Sequence, residues 1–333
     1  MNDITSTAPG DKPHLSPVRP RMTRRATFHD YRQPGTYMFT LYRHPDAPDM
    51  SIISGNPNDN GESGPKVELL PIGHILEEEI SKTVEMRKEV SIPKFVIMPD
   101  HVHLLLTLKE NIDFSVTKIV SQIESATTSR SRRAGLIAWD ESVFKATGLN
   151  DRIAFEDRLE LLSKYIDDNP RRLLIKRLHP DLFRRNLSVN IGGDKVDCIG
   201  NIFLLRKPLQ IVHVRRKWSS DEQQEYKRNC IAVARQGAVL ISPFIHPIEN
   251  EIRKQVLDEG GSIIQIVEHG FEERFKPTGR MMDVCAEGRL LLISEAGAST
   301  RSEDMTYAKA SRLNQLAERI AATSPSTPLK LNK

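Results

Sequence analysis

Met98-Pro-Asp-His-Val-His-Leu-Leu-Leu106 is the stretch on which the reading of this chain turns. Pro99-Asp100 breaks one apolar run, 92–98, from a second, 101–108. Each reads as a strand. Side chains alternate along a strand, so His101 and His103 share one face and Val102 takes the other, packing inward. Two imidazoles about 7 Å apart on one strand face can share a divalent ion. A pair of structural or surface histidines fits the same spacing.

Outward from this pair the periodicity alternates between elements. Gly35 to Tyr42 is rich in aromatic and β-branched residues and reads as a strand. Residues 54–65 are a loop by composition. Ile72 to Arg87, Phe114 to Arg130 and Phe155 to Asp168 carry apolar residues at helical spacing. Asn169-Pro170 is expected to stop the last of these, because the residue before a proline is pushed out of the α region. The order strand, helix, strand, strand, helix, helix predicts an α+β domain with its helices on one face of a sheet. Lys164-Tyr-Ile-Asp-Asp-Asn-Pro170 sets Tyr165 and Asn169 four apart on one helix face. A hydroxyl and an amide oxygen there could reach one metal-bound phosphate. A tyrosine packed at a helix end with Asn169 as a C-cap is the plainer alternative.

The second half has a different rhythm. Residues 186–201, with Gly192-Gly193 and Gly200, read as a linker. Beyond it, strands at 209–214, 238–242, 262–267 and 289–294 alternate with helices. That order implies a parallel, doubly wound sheet. Ser219 with Glu222 is a capping-box signature and Gly237 is placed to end the helix it starts. His246 and Glu249 stand at a strand-to-helix junction where phosphate can bind. Capping and surface roles fit them equally, and no Gly-x-Gly-x-x-Gly or Walker lysine is present. The domain expectation is a disordered basic arm at 1–23, an α+β domain at 24–185, the linker, a smaller Rossmann-like α/β domain at 202–296, and a polar tail at 297–333 with one helix around Tyr307–Ala322.

Composition narrows the class. The chain has 333 residues, 38% hydrophobic and 28% charged, with a net charge of +4. This suits a two-domain globular protein. There is no apolar run long enough to span a bilayer and no apolar core in Met1 to Arg25, so the expectation is a cytoplasmic protein without a membrane partner. Cys198, Cys230 and Cys285 are too dispersed for a disulfide framework or zinc ribbon. The positive charge is clustered: Arg19, Arg21, Arg24 and Arg25; Arg130, Arg132 and Arg133; six Arg or Lys against one acid between Arg171 and Asn190; and Arg215, Arg216 and Lys217. Such patches neutralise phosphates, although solvated helix faces look the same in sequence.

Taken together, the His-Val-His strand and the Tyr-Ile-x-x-Asn-Pro helix resemble the HUH single-tyrosine transposases, most of all the REP-associated tyrosine transposases. Pro34-Gly-Thr-Tyr-Met-Phe-Thr40, Ser121-Gln-Ile-Glu-Ser-Ala-Thr127 and Gly148-Leu-Asn-Asp-Arg-Ile153 add to the likeness, which covers roughly Arg24 to Arg185. The resemblance implies a ferredoxin-like domain, often dimeric, that cleaves single-stranded DNA beside a hairpin. By carry-over, His101 and His103 are metal ligands, Tyr165 is the nucleophile and Asn169 is the third ligand or a phosphate contact. The ion would be Mg²⁺ or Mn²⁺, and the partners single-stranded or hairpin DNA and a second copy of the chain. Arg130, Arg132, Arg133, Lys164, Arg171 and Arg172 are the expected DNA-binding cations. Two departures stand out. Asp100 replaces a common Asn, and the stretch from Phe144 lacks the usual His- or Asp-rich pattern, with Asp151 as the residue that would serve in its place. The second half faintly resembles DNA-processing protein A and the lysine-decarboxylase-like nucleotide hydrolases. Two rival readings therefore stay open: a non-catalytic, domesticated DNA-binding descendant, and a nucleotide-binding or hydrolysing protein acting through the C-terminal domain.

Overall fold

The computed structural model describes residues 30–145, 150–154, 159–215, 217–273, 275–300 and 304–324. The expected N-terminal basic arm, with Arg19, Arg21, Arg24 and Arg25, lies outside the described residues. The chain divides into two compact units, one of residues 1–52 and 67–167, the other of 53–66 and 168–333.

The first unit is built on a four-stranded antiparallel sheet. Its strands are β1 (Gly35–Tyr42), β4 (Val90–Ile97), β5 (His101–Leu108) and β6 (Asn150–Ala154), in the order β4-β5-β1-β6. With α1 (Pro71–Met86) after β1 and α2 (Val116–Arg133) after β5, this is the ferredoxin-like βαββαβ arrangement. The short strands β2 (Ser51–Ser54) and β3 (Lys66–Leu69) pair separately as a ribbon between β1 and α1. β6 is the element that the apolar pattern misses.

Alternation decides what each sheet face does. Tyr37, Phe39 and Leu41 of β1 and Val102, Leu104, Leu106 and Leu108 of β5 are buried in one core with Ile72, Leu76 and Ile80 of α1 and Ile119, Val120 and Ile123 of α2. The opposite face is also covered: Met38, Leu105 and Ile166 form a second, smaller core, with Leu159, Leu162 and Tyr165 packed against it. The last three come from α3 (Leu159–Leu178). The expectation of helices on one face therefore holds for α1 and α2 and fails for α3. Coverage on both faces explains why β5 reads as a nearly continuous apolar run.

The expected stop at Asn169-Pro170 is also overturned, because α3 runs on through Pro170 to Leu178. A proline inside a helix loses one hydrogen bond and clashes with the preceding turn, a cost of about 3 kcal/mol. Asn169, Arg172, Leu174 and Ile175 are all buried around and beyond it. Their packing outweighs the local preference.

In the second unit, β9 (Leu209–Ile211), β10 (Val239–Ser242), β11 (Ile263–Ile266) and β12 (Leu290–Glu295) are parallel, and the sheet order is β7-β8-β12-β11-β10-β9. The 186–201 stretch is no linker. It forms the hairpin β7 (Asn186–Ile191) and β8 (Asp194–Gly200), and β8 pairs antiparallel with β12. Nor is this the smaller unit, since it takes in 53–66 and everything from Asp168 onward. The parallel strands advance in one direction, so α4 (Ser220–Arg235), α5 (Pro247–Asp258) and α6 (Arg280–Ala286) pack into one core on one face, and the expected doubly wound order gives way to a singly wound one. The other face is closed by α7 (Tyr307–Ala321), through Leu313, Leu316, Ala317 and Ile320. The expected polar tail thus supplies a core helix. The capping box predicted at Ser219 and Glu222 is present. Among the described residues no helix is long and apolar enough to cross a membrane.

One titratable group in the first unit is held against its preference. Burial raises the Glu124 carboxyl on α2 to about 7. With the folded value above the unfolded one, the group's contribution to stability is complete below about pH 4.5 and is lost as pH rises through 7. Glu124→Gln is therefore expected to stabilise the protein by about 2 kcal/mol at pH 8 and by nearly nothing at pH 4, read from urea midpoints at the two pH values.

Candidate active site

The Pro99-Asp100 turn between β4 and β5 makes His101 the first residue of β5, and the amide of Met98 donates to the His101 carbonyl (2.8 Å). The register then lays His101 opposite Tyr42 and His103 opposite Thr40. Both imidazoles lie on the face that carries Met38 and Leu105, against α3. Their rings meet edge-on, with centroids 4.7 Å apart. The expected convergence is seen: the Tyr165 ring lies 5.3 Å from that of His103, also edge-on. Ile166, fully buried beside it, anchors this turn of the helix to the sheet.

Each histidine is oriented through Nδ1. His101 Nδ1 lies 2.7 Å from an Asp100 carboxylate oxygen, and His103 Nδ1 lies 2.9 Å from the Thr40 hydroxyl. A carboxylate only accepts, so the His101 proton sits on Nδ1 in that bond and the lone pair is on Nε2. The Thr40 hydroxyl can donate or accept, and in the same tautomer of His103 it takes the Nδ1 proton. Nε2 is then the nitrogen in each ring that an ion would use. This is how metal-binding histidines are commonly held. Asp100, a departure from the common Asn in sequence, thus has a defined place. Sequence reasoning missed Thr40 and Asp100 as supports, and Tyr42, whose ring is 6.2 Å from that of His101.

Two imidazoles are donors for a borderline divalent ion, and a harder ion would need oxygen donors beside them. The two imidazoles would form one side of such a site, and among the described residues no group of three or more His, Cys, Asp or Glu that could hold a metal ion is found. The remaining positions of such an ion would fall to oxygen donors of other kinds, water and phosphate included. Asn169 is buried, one turn after Tyr165 along α3, and belongs to the second unit. Asp151 lies on β6 at the register position opposite Phe39.

The expected DNA-binding cations fare differently. Arg130 is held by Glu78 and by Glu79 (2.8 Å to the latter), and Arg132 donates to the Glu141 carbonyl (2.9 Å). Arg130, Arg132 and Arg133 end α2, which packs on the sheet face away from the histidines. Arg171 pairs with Asp283 (2.6 Å) and donates to the Pro57 carbonyl (2.9 Å), while buried Arg172 donates to the Pro277 carbonyl. With Arg177 on the Ile53 carbonyl and Arg185 on that of Phe271, these arginines hold the second unit together. Lys164, next to Tyr165, remains exposed and pairs with Glu160 one turn back (2.6 Å).

In the second unit, Glu249 is 2% exposed and accepts from three backbone amides: Val214 (2.9 Å), Ile245 (3.0 Å) and His246 (3.2 Å). His246 caps α5 through its ring. Both are capping residues, and a carboxylate of the chain itself takes the amides that a phosphate would need there.

Residues 74–169 match the model of a family described as "Transposase IS200 like". The match contains His101, His103, Tyr165 and Asn169. No curated protein matches the chain. Among solved structures the chain is similar to a REP-associated tyrosine transposase bound to a REP hairpin, at 18% identity and TM-score 0.31, covering 47% of this chain and 73% of that one. It is also similar to DNA processing protein A from Helicobacter pylori, a structure described for its single-stranded DNA binding mode. Identity there is 20% and TM-score 0.29, with 41% of this chain and 66% of that one covered.

Proposed function

We propose that this chain cleaves and rejoins single-stranded DNA beside a hairpin, with Tyr165 as nucleophile and a divalent ion, Mg²⁺ or Mn²⁺, held by His101 and His103. The observation that carries the reading is the meeting of Tyr165 with an edge-on histidine pair whose Nδ1 atoms are both engaged. The family match to residues 74–169 supports it. When bound, the ion would withdraw charge from the scissile phosphate and make it a better electrophile. The residues of the chain do the rest. Asp100 fixes the ring and the tautomer of His101, and Thr40 holds the ring of His103. α3 delivers the Tyr165 oxygen, and its bond to phosphorus forms as the bond from phosphorus to the 3′ oxygen breaks. The tyrosine proton is lost and the leaving 3′ oxygen gains one. The products are a 5′-phosphotyrosine and a free 3′-OH. A second 3′-OH reverses the exchange without ATP, because the phosphodiester energy is kept in the adduct. Asn169, by its spacing from Tyr165, is the proposed oxygen donor, and a homodimer would supply the two tyrosines that paired cleavages need.

The test is incubation of the full chain with end-labelled single-stranded oligonucleotides from the DNA flanking its gene, hairpins included, with Mn²⁺ or with EDTA. A covalent adduct that survives denaturing electrophoresis and requires the ion is expected. Absence of any adduct across these substrates would overturn the reading. Asp100→Ala is expected to raise the Mn²⁺ concentration for half-maximal cleavage on the order of 10-fold, because an unsupported ligand binds more weakly. An unchanged Mn²⁺ titration would remove Asp100 from that role.

A further inference from the structure

We infer that Lys145 carries a backbone phosphate of the DNA strand at the histidine end of the sheet, a role that rests on the DNA-cleaving reading above. The bridge between Arg43 and Phe144 extends the antiparallel pairing of β1 past its last residue. Phe144 turns into the main core, 4% exposed. The next residue, Lys145, donates its amide to the Tyr42 carbonyl (2.9 Å). Tyr42 is in turn the register partner of His101. Directly opposed residues of antiparallel strands project to the same side. Lys145, Tyr42 and His101 therefore form one row across three chain segments, on the face that holds the histidine pair. Adjacent strands lie about 4.8 Å apart, so Lys145 and His101 are about 10 Å apart along this row.

The electrostatics of the row favour a phosphate. Lys145 is half-buried, and among the described residues no carboxylate pairs with it. Of the acids at this end, Asp100 is engaged with His101, Asp49 with Arg43 and Asp46 with His44. The arginines that sequence alone nominates as DNA ligands are tied to glutamates, Asp283 or carbonyls. Lys145 differs from them in being a cation on the histidine face without such a tie among the described residues. A compact ammonium on a flexible stem acts as a point charge toward one phosphate and reads no base. The phosphate it reaches is one beside the scissile position, which makes Lys145 a residue that positions the strand.

The experiment measures binding of fluorescein-labelled oligo(dT) to the full chain by anisotropy, with EDTA present and in a Tyr165→Phe background, so that no chemistry contributes. Lys145→Met keeps most of the stem and removes the charge, and Lys145→Arg keeps the charge. The expected result is about 5-fold weaker binding for Lys145→Met at low salt, near-parental binding for Lys145→Arg, and a salt dependence of log K shallower by about 0.7 for Lys145→Met. A methylphosphonate placed at successive positions around the cleavage site of an active substrate would add a second readout. At one position it should weaken the parent and leave Lys145→Met unaffected. Equal affinity and equal salt slope for Lys145→Met and its parent would overturn the assignment of Lys145 while leaving the cleavage reading intact. Absence of DNA binding by the parent would overturn both.

Discussion

Tyr165→Phe is expected to abolish the covalent protein–DNA adduct and to lower strand cleavage on the order of 10³-fold or more, while DNA affinity stays within about twofold. The substitution removes one oxygen atom and keeps the ring that packs 5.3 Å from His103 beside Ile166, Leu159 and Leu162. Folding should therefore be preserved, and a thermal melt superimposable on the parent's would establish that. Affinity should persist because single-strand binding resides mainly in phosphate contacts. Tyr42→Phe is the informative companion. Tyr42 flanks His101 from β1 as Tyr165 flanks His103 from α3, so a second hydroxyl lies near the histidine pair. With Tyr165 as the nucleophile, Tyr42→Phe retains the adduct. An adduct that survives Tyr165→Phe and disappears in Tyr42→Phe would assign the chemistry to β1 instead. Mass spectrometry of the nucleotide-bearing tryptic peptide separates these outcomes directly.

Strands β1 and β5 were legible because both cores are written in them. Tyr37, Phe39 and Leu41 on one face of β1 and Met38 on the other left little freedom in register. β6 was invisible for the opposite reason. Asn150-Asp-Arg-Ile-Ala154 has no alternation to distinguish it from a loop, and only its pairing with β1 makes it a strand. The glycines of 186–201 were read as slack, yet Gly192 and Gly193 have φ of 62° and 93° and close the tight two-residue turn between β7 and β8. Gly200, at φ 118°, ends β8 where a Cβ would collide with the Leu290 carbonyl. The reactive residues of the site could be read from spacing within one strand and one helix. Their supports could not, because Thr40 meets His103 across 63 positions of sequence. The partners of the arginine clusters were hidden for a related reason. Whether a guanidinium is available to phosphate depends on the acid or carbonyl that meets it, and Asp283 lies 112 positions from Arg171.

The second domain has its own large expected effect, at Glu249. Replacing this residue with Ala should destabilise the domain by about 4 kcal/mol, because the amides of Val214, Ile245 and His246 lose their shared acceptor inside the protein. Glu249→Gln should cost less, about 2 kcal/mol, since one oxygen of the amide still accepts while its NH₂ faces a donor. The loss in Glu249→Ala should be partly reversed by acetate, which can place a carboxylate in the vacated space. Stabilisation by a ligand that binds only the folded form grows with its concentration. The comparison is a set of urea melts with and without 100 mM acetate, against chloride at equal ionic strength. Rescue of the variant with no effect on the parent is the expected result, and inorganic phosphate in place of acetate asks whether the same amides accept a larger anion. A parent chain stabilised by phosphate to the same degree as Glu249→Ala would mean that the anion binds elsewhere and that Glu249 does not occupy the phosphate position. The outcome bears directly on the nucleotide-binding alternative. At this junction between β10 and α5, a carboxylate already satisfies the backbone donors that a bound phosphate would need.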